Sequence, residues 1–282
     1  MTLDVAALVL FAALLHAVWN ALIKASRDIV LDTALVVAGA SLVSAVLLLW
    51  IEVPQRASWP YLAASCVVHQ CYFALLAAAY GRGDLSFAYP LMRGLPPLLV
   101  ALVAVLVLRE PASPWLWAGV AAISIGVLWI GGLHPRALLQ RARAAAFALA
   151  NAVLIAGYTL IDGIGVRLAA DAASYGLWLF LGTAWPYVAI ALWMRRTTWR
   201  EHVRAHWWRG LLGGSLSIAA YLIALWAMMR APIAAVAALR ETSVIFAALI
   251  GAWLLHEPFG RHRIAGACMV VVGIALLKGC GG

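Results

Sequence analysis

Polar and apolar residues occur in this chain as blocks, not as the stripes of an amphipathic helix or the two-residue beat of a strand. Runs of about 20 apolar residues are separated by short segments rich in proline, glycine and charge. At about 1.5 Å per residue such a run crosses the ~30 Å hydrocarbon core of a bilayer. The punctuation predicts ten spans, over residues 3–26, 30–51, 60–80, 85–108, 114–131, 144–166, 173–194, 209–229, 232–255 and 262–279. The expected fold class is therefore an all-α integral membrane protein with ten transmembrane helices. Trp50, Trp59, Trp115, Trp193, Trp207 and Trp208 fall near span ends, where amphipathic rings prefer to sit at headgroup depth.

The blocks also repeat. Displacing the chain by 147 residues lays 78–132 over 225–279 without a gap. Arg93 then falls on Arg240, Glu110-Pro111 on Glu257-Pro258, Gly119 on Gly266 and Gly126 on Gly273. Two arginines inside apolar spans, followed at equal distance by the same Glu-Pro pair, point to duplication of a five-span unit. Because five is odd, the second copy enters the membrane from the opposite face. The expectation is two inverted five-helix repeats, residues 1–135 and 136–282, with a site near mid-depth between them.

Composition agrees with a membrane environment. The chain of 282 residues is 66% hydrophobic and 11% charged, under half the ~25% charge of a soluble domain. A net charge of +9 raises the question of nucleic acid, but the basic residues are scattered between apolar runs without a nucleic-acid motif, so no such partner is expected. Thirteen lysines and arginines fall in loops after odd-numbered spans, against five in the even loops and C-terminal tail. By the positive-inside rule the odd loops are cytoplasmic and both termini periplasmic, in a bacterial-type inner membrane. Cys66, Cys71, Cys268 and Cys280 have no metal-ligand or C-x-x-C spacing. The first apolar run lacks a preceding cationic stretch and is expected to be the first span, not a cleaved leader.

Ten spans, a five-plus-five duplication and the endings Leu108-Arg109-Glu110-Pro111 and Leu255-His256-Glu257-Pro258 resemble the EamA type of the drug/metabolite transporter superfamily. The resemblance covers essentially the whole chain, and its most specific element is the short "LxEP" ending of the fourth and ninth spans. It implies a secondary transporter that exports small metabolites. Amino acids with an aromatic or apolar bias are the first expectation, since aromatic amino-acid exporters look like the nearest relatives. It also implies a small-molecule substrate, contact with membrane lipid, a monomer or homodimer, and no cofactor.

Ionisable and polar groups inside spans are costly and mark the candidate site. Arg93 and Arg240 lie about eight residues, or ~12 Å, into the fourth and ninth spans, so inversion brings both close to the midplane. Each either faces a cavity, where a guanidinium meets a carboxylate or phosphate, or forms an internal ion pair with Glu241 or Asp162. Arg93 is assigned the substrate carboxylate, while Glu241 beside Arg240 favours a structural role there. His69 and Tyr72 share a face of the third span, with Gln70 beside them and Tyr80 two turns on; Tyr89 precedes Arg93 by one turn. Such a wall suits a partly apolar metabolite with polar ends, although each ring taken alone reads first as a packing residue and only the cluster points to function.

Pro90, Pro96 and Pro97 interrupt the fourth span, while the ninth has only Pro232 at its start. Proline frees carbonyls that membrane depth tolerates only where they are buried or line a cavity, so Pro90 marks a gate or a structural kink. In the first span His16, Asn20 and Lys24 form a stripe with a spacing of four. The sixth span offers Asn151, Tyr158 and Asp162. The substrate-binding set is then His16, Asn20, His69, Tyr72, Tyr89 and Arg93. Gating or coupling falls to Pro90, Lys24, Tyr158, Asp162, Arg240 and Glu241, with Lys24 and Asp162 near enough to span ends to snorkel.

No enzyme is expected. Gly81-Arg82-Gly83-Asp84 matches the G-x-G-D of intramembrane aspartyl proteases, but no second carboxylate stands at the required spacing, and this remains a remote alternative. His256-Glu257 with His262 lacks the H-E-x-x-H spacing of a zinc protease, and no phosphate loop or nucleophile elbow occurs. The rivals are a carrier of phosphorylated or lipid-linked metabolites using both arginines, and a non-transporting scaffold.

Overall fold

The computed structural model describes residues 1–26, 28–80, 85–132, 140–254 and 260–278. Every regular element among them is helical: α1 (Leu3–Lys24), α2 (Ile29–Leu47), a 3-10 turn (Arg56–Ser58), α3 (Trp59–Tyr80), α4 (Leu85–Gly94), α5 (Pro96–Leu106), α6 (Pro114–Ile130), α7 (Ala142–Ala169), α8 (Ala172–Met194), α9 (Trp199–Met228), α10 (Ile233–Arg240), α11 (Ser243–Leu254) and α12 (Arg261–Lys278). Two consecutive pairs, α4/α5 and α10/α11, each make one broken passage, so twelve helices form ten passages. Seven stretches among the described residues are long and apolar enough to span a membrane by themselves. Large apolar side chains such as Trp193 and Trp253 point outward, whereas the interior is rich in alanine. Small residues inside let helices approach where lipid offers no hydrophobic drive for association.

Local chemistry sets the helix ends. Asp28 caps α2 by accepting from the amides of Val30 and Leu31, each at 3.1 Å. Ser113 caps α6 ahead of Pro114, and Asp171 accepts from the Ser174 amide at 2.6 Å to start α8. Helix α9 begins ten residues before the predicted eighth span, taking in Arg200, Arg204 and Arg209 that were expected in a loop. Residues outside the hydrocarbon can carry charge and remain helical, so the apolar run under-reported the helix.

Helices from the two halves interleave. The strongest packing joins α1 to both α9 and α11, α3 to α7, α2 to both α8 and α9, α5 to α10, and α6 to α12. Exchanging each passage for its equivalent five further along maps α1–α9 onto α3–α7 and leaves α6–α12 unchanged. In that last pair a methyl group on Gly126 would stand 2.7 Å from the Gly266 carbonyl oxygen, and one on Gly119 2.9 Å from that of Gly273. The reciprocal approaches are 2.6 and 2.8 Å. These glycines touch in reverse order, so α6 and α12, equivalent in sequence, run antiparallel at backbone contact. Any side chain would force them apart.

The fourth passage breaks between Gly94 and Pro96, as its prolines suggest. The ninth breaks at Glu241–Thr242 with no proline present. There the amides of Glu241 and Thr242 bond three residues back, and the Thr242 hydroxyl takes the Leu239 carbonyl at 2.7 Å. A tightened turn and a competing hydroxyl end the helix as effectively as a missing amide. This break was not predicted.

Candidate functional site

Beside the two breaks, Arg93 and Arg240 line a central cavity of about 180 Å³. It is walled by α1, α2, α3 and α4 from one half and by α7, α8, α9 and α10 from the other. Of the sequence-predicted residues, His16, Asn20, His69, Tyr72, Tyr89, Arg93, Tyr158 and Arg240 all line it. Spacing within each helix puts them on one face; the tertiary fold brings the faces together.

The pairing of charges follows the ion-pair alternative for Arg93 and departs from the expectation for Arg240. Arg93 Nε lies 2.9 Å from Glu241, across the halves. The same guanidinium donates to the Ser243 hydroxyl and to His16 Nε2, both at 3.3 Å. A guanidinium only donates, so His16 Nε2 is unprotonated and its proton sits on Nδ1. Arg240, expected to be held by its neighbour Glu241, has no carboxylate within ion-pair distance among the described residues. Its guanidinium lies over the Tyr221 ring, 4.9 Å from the centroid, and faces the cavity. Adjacent positions on a helix point in different directions, so Glu241 serves the arginine of the other half.

Aromatic rings make up the remaining wall. His69 stacks on Tyr158 with centroids 4.3 Å apart, and Tyr72 meets Tyr158 edge-on at 6.0 Å. Trp19 packs edge-on to His16 at 5.1 Å, and Phe180 to Tyr221 at 5.9 Å. Phe73, Thr183, Ser217 and Tyr221 also line the cavity and were not singled out from sequence. Tyr221 had a faint signal, a phenol in the middle of an apolar run, but nothing in its own segment tells it from a packing residue.

Several expected site residues lie elsewhere. Lys24 is the exposed last residue of α1, away from the cavity. Pro90 is buried against Gly131 of α6 and acts in packing there. Gln70 turns aside to donate to the Thr183 carbonyl at 2.9 Å, and the Asn151 amide bonds the Met92 sulfur at 3.0 Å. Asp162 does not snorkel: it is fully buried, accepting from the hydroxyls of Tyr175, at 2.9 Å, and Tyr221. The G-x-G-D stretch at 81–84 and the second Glu-Pro pair at 257–258 lie outside the described residues, as does the side chain of Tyr80.

The cavity is one-sided. Its lining runs from mid-depth towards the ends of passages that meet the odd-numbered loops, with Asn20 near the end of α1, Thr33 near the start of α2 and Tyr89 near the start of α4. On the other side Arg93, Tyr158 and Arg240 also border a second void of about 10 Å³, the size of one water. These three side chains are the partition between the two. Beyond it the even-loop side is tied shut. Arg109 turns the backbone at φ 55° and delivers Glu110 across the halves, where it accepts from the Ile233 amide at 3.0 Å and pairs with Arg167 at 2.7 Å. Arg167 in turn donates to the carbonyls of Met228 and Ala231, at 2.8 and 3.1 Å. The glutamate of the first Glu-Pro pair thus caps α10, where a negative charge complements the helix dipole.

Comparison with known proteins fits this architecture. A solved crystal structure 18% identical in sequence superposes over 98% of this chain and 98% of its own, with a TM-score of 0.72, a likeness of fold. A curated relative from Pseudomonas savastanoi pv. phaseolicola, the probable 4-amino-4-deoxy-L-arabinose-phosphoundecaprenol flippase subunit ArnE, is 37% identical over 76 residues. That match spans 27% of this chain and 64% of the relative's length. The EamA-like transporter family matches residues 5–132 and 142–278, nearly the whole sequence. This polytopic membrane protein belongs to the EamA-like transporter family.

Proposed function

We propose that the chain is a secondary transporter exporting small metabolites that carry an anionic group and an apolar or aromatic part, amino acids of aromatic bias first among them. The observation that carries this reading is Arg240, a guanidinium without a carboxylate partner among the described residues, facing a cavity walled by aromatic rings. A carboxylate would dock on Arg240, and the side chain would lie against Tyr72, Tyr89 and Tyr158. Arg93, already neutralised by Glu241, would shape the site rather than take the charge.

Alternating access would follow from two inverted five-helix units, residues 1–135 and 136–282. The antiparallel contact of α6 with α12 and the matched breaks in the fourth and ninth passages support that arrangement. With the odd loops cytoplasmic, the described conformation is open inward and closed by the Glu110–Arg167 tie. The test is counterflow of labelled phenylalanine in proteoliposomes. Tyr72→Ala should cut it about tenfold or more; full retention overturns the site.

A phosphorylated or lipid-linked substrate is the second reading, favoured by the likeness to a flippase subunit. Phosphate carriage should collapse on both Arg93→Gln and Arg240→Gln, whereas amino-acid carriage depends chiefly on Arg240.

A further inference from the structure

Three carboxylates among the described residues are almost wholly buried: Asp32, Asp162 and Glu241. Two are answered by cations. Asp32 meets Arg209 at 3.2 Å and His202 at 2.5 Å, and Glu241 meets Arg93. Asp162 has no cationic group within ion-pair distance among the described residues. It is held only by neutral donors, the hydroxyls of Tyr175 and Tyr221, with the Ser65 hydroxyl also facing it. A buried anion without a cation is costly, and a proton is the simplest way to remove the charge.

A route for that proton is in place. His69 Nδ1 lies 2.9 Å from the Ser65 carbonyl oxygen. A carbonyl only accepts, so Nδ1 carries the hydrogen and Nε2 keeps a lone pair. His69 itself lines the cavity. Its Nδ1 is also 3.2 Å from the Ser65 hydroxyl, and that hydroxyl neighbours the Asp162 carboxylate. The other titratable groups facing Asp162 are Cys66 of α3, Tyr175 of α8 and Tyr221 of α9, with Arg240 of α10 beyond the Tyr221 ring.

We propose that Asp162 is a proton-binding site, loaded from the central cavity through His69 and Ser65 and separate from the anion-recognising Arg240. A proton from cavity water bonds to His69 Nε2. The Nδ1 proton passes to the Ser65 oxygen, and the Ser65 hydroxyl proton passes to the Asp162 carboxylate. The imidazole ends neutral as its other tautomer, so one proton has moved and none is left over. Tyr221 then links the two sites: its hydroxyl senses the charge on Asp162 while its ring carries Arg240. The coupling to transport rests on the function proposed above; the binding of the proton does not.

Infrared spectroscopy of the reconstituted protein tests the site without any substrate. A carboxyl C=O band should appear and disappear reversibly as pH is changed, with the carboxyl and the histidine titrating as a coupled pair. It should vanish in Asp162→Asn. In His69→Gln the band should persist, but its response to a pH jump should slow by about an order of magnitude or more. An absent titrating band, or one unchanged in Asp162→Asn, overturns the proposal. For coupling, an imposed pH gradient should accelerate phenylalanine counterflow in the wild type, and in Asp162→Asn the ratio of counterflow with and without the gradient should fall to about one. A wild-type response to the gradient in that variant overturns the coupling, whereas absent counterflow in the wild type overturns the transport reading alone.

Discussion

The fourth and ninth passages occupy equivalent places in the repeat, yet they solve the same problem by different means. Both break near mid-depth beside an arginine. The fourth uses Pro96 and Pro97, which remove amide donors. The ninth uses three-residue turns and the Thr242 hydroxyl. Their arginines have diverged as well: Arg93 is locked to Glu241 of the other half, while Arg240 lies over Tyr221 and faces the cavity. The two positions match under the displacement of 147 residues, yet one arginine is a strut between the halves and the other faces the cavity.

The largest effect should come from the strut. Arg93→Gln leaves Glu241 buried without its partner, and unfolding in detergent should show a loss of about 3–5 kcal/mol. Adding Glu241→Gln should restore most of it, because no uncompensated charge remains. Arg240→Gln should behave in the opposite way, with stability within about 0.5 kcal/mol of wild type but counterflow reduced about tenfold or more. Equal responses at the two positions would break the comparison.

A smaller effect is expected at the closed end. Glu110→Gln removes the ion pair to Arg167 and the charge at the start of α10, a cost of about 1–2 kcal/mol. Thiol labelling of Thr159→Cys, on the wall of the small void, should become faster from the even-loop side. Unchanged labelling would mean that other contacts keep that side shut.

The smallest effect lies at the membrane surface, where Asp28 meets Arg195 at 2.8 Å. Partial burial pushes the Asp28 carboxyl up, but the Arg195 guanidinium and the amides of Leu31 and Val30 outweigh it and hold the group below the usual carboxylate range. A group depressed in the folded state adds stability above its unfolded pKa and loses it as pH falls through the folded value. Acid titration of stability should therefore be shallower in Asp28→Asn at the acidic end of the carboxylate range. Both side chains are partly exposed, so the difference should stay under about 1 kcal/mol.

Sequence alone revealed much of this molecule because its main signals are local. A run of 20 apolar residues reads as a membrane helix wherever it packs, and an arginine within one stands out at once. The displacement by 147 residues is likewise a property of the string. His16 with Asn20, His69 with Tyr72 and Tyr89 with Arg93 could be grouped because helical spacing puts each pair on one face. What stayed hidden depends on contacts between distant segments. Arg93 and Glu241 are separated by about half of the chain, and the difference between a snorkelling and a buried Asp162 lies in Tyr175 and Tyr221 arriving from other helices. The break in the ninth passage left no proline to mark it. Length and polarity along the string determined the ten passages. Only tertiary structure decided which charge neutralises which, because the cost of a buried charge depends on partners that local spacing cannot specify.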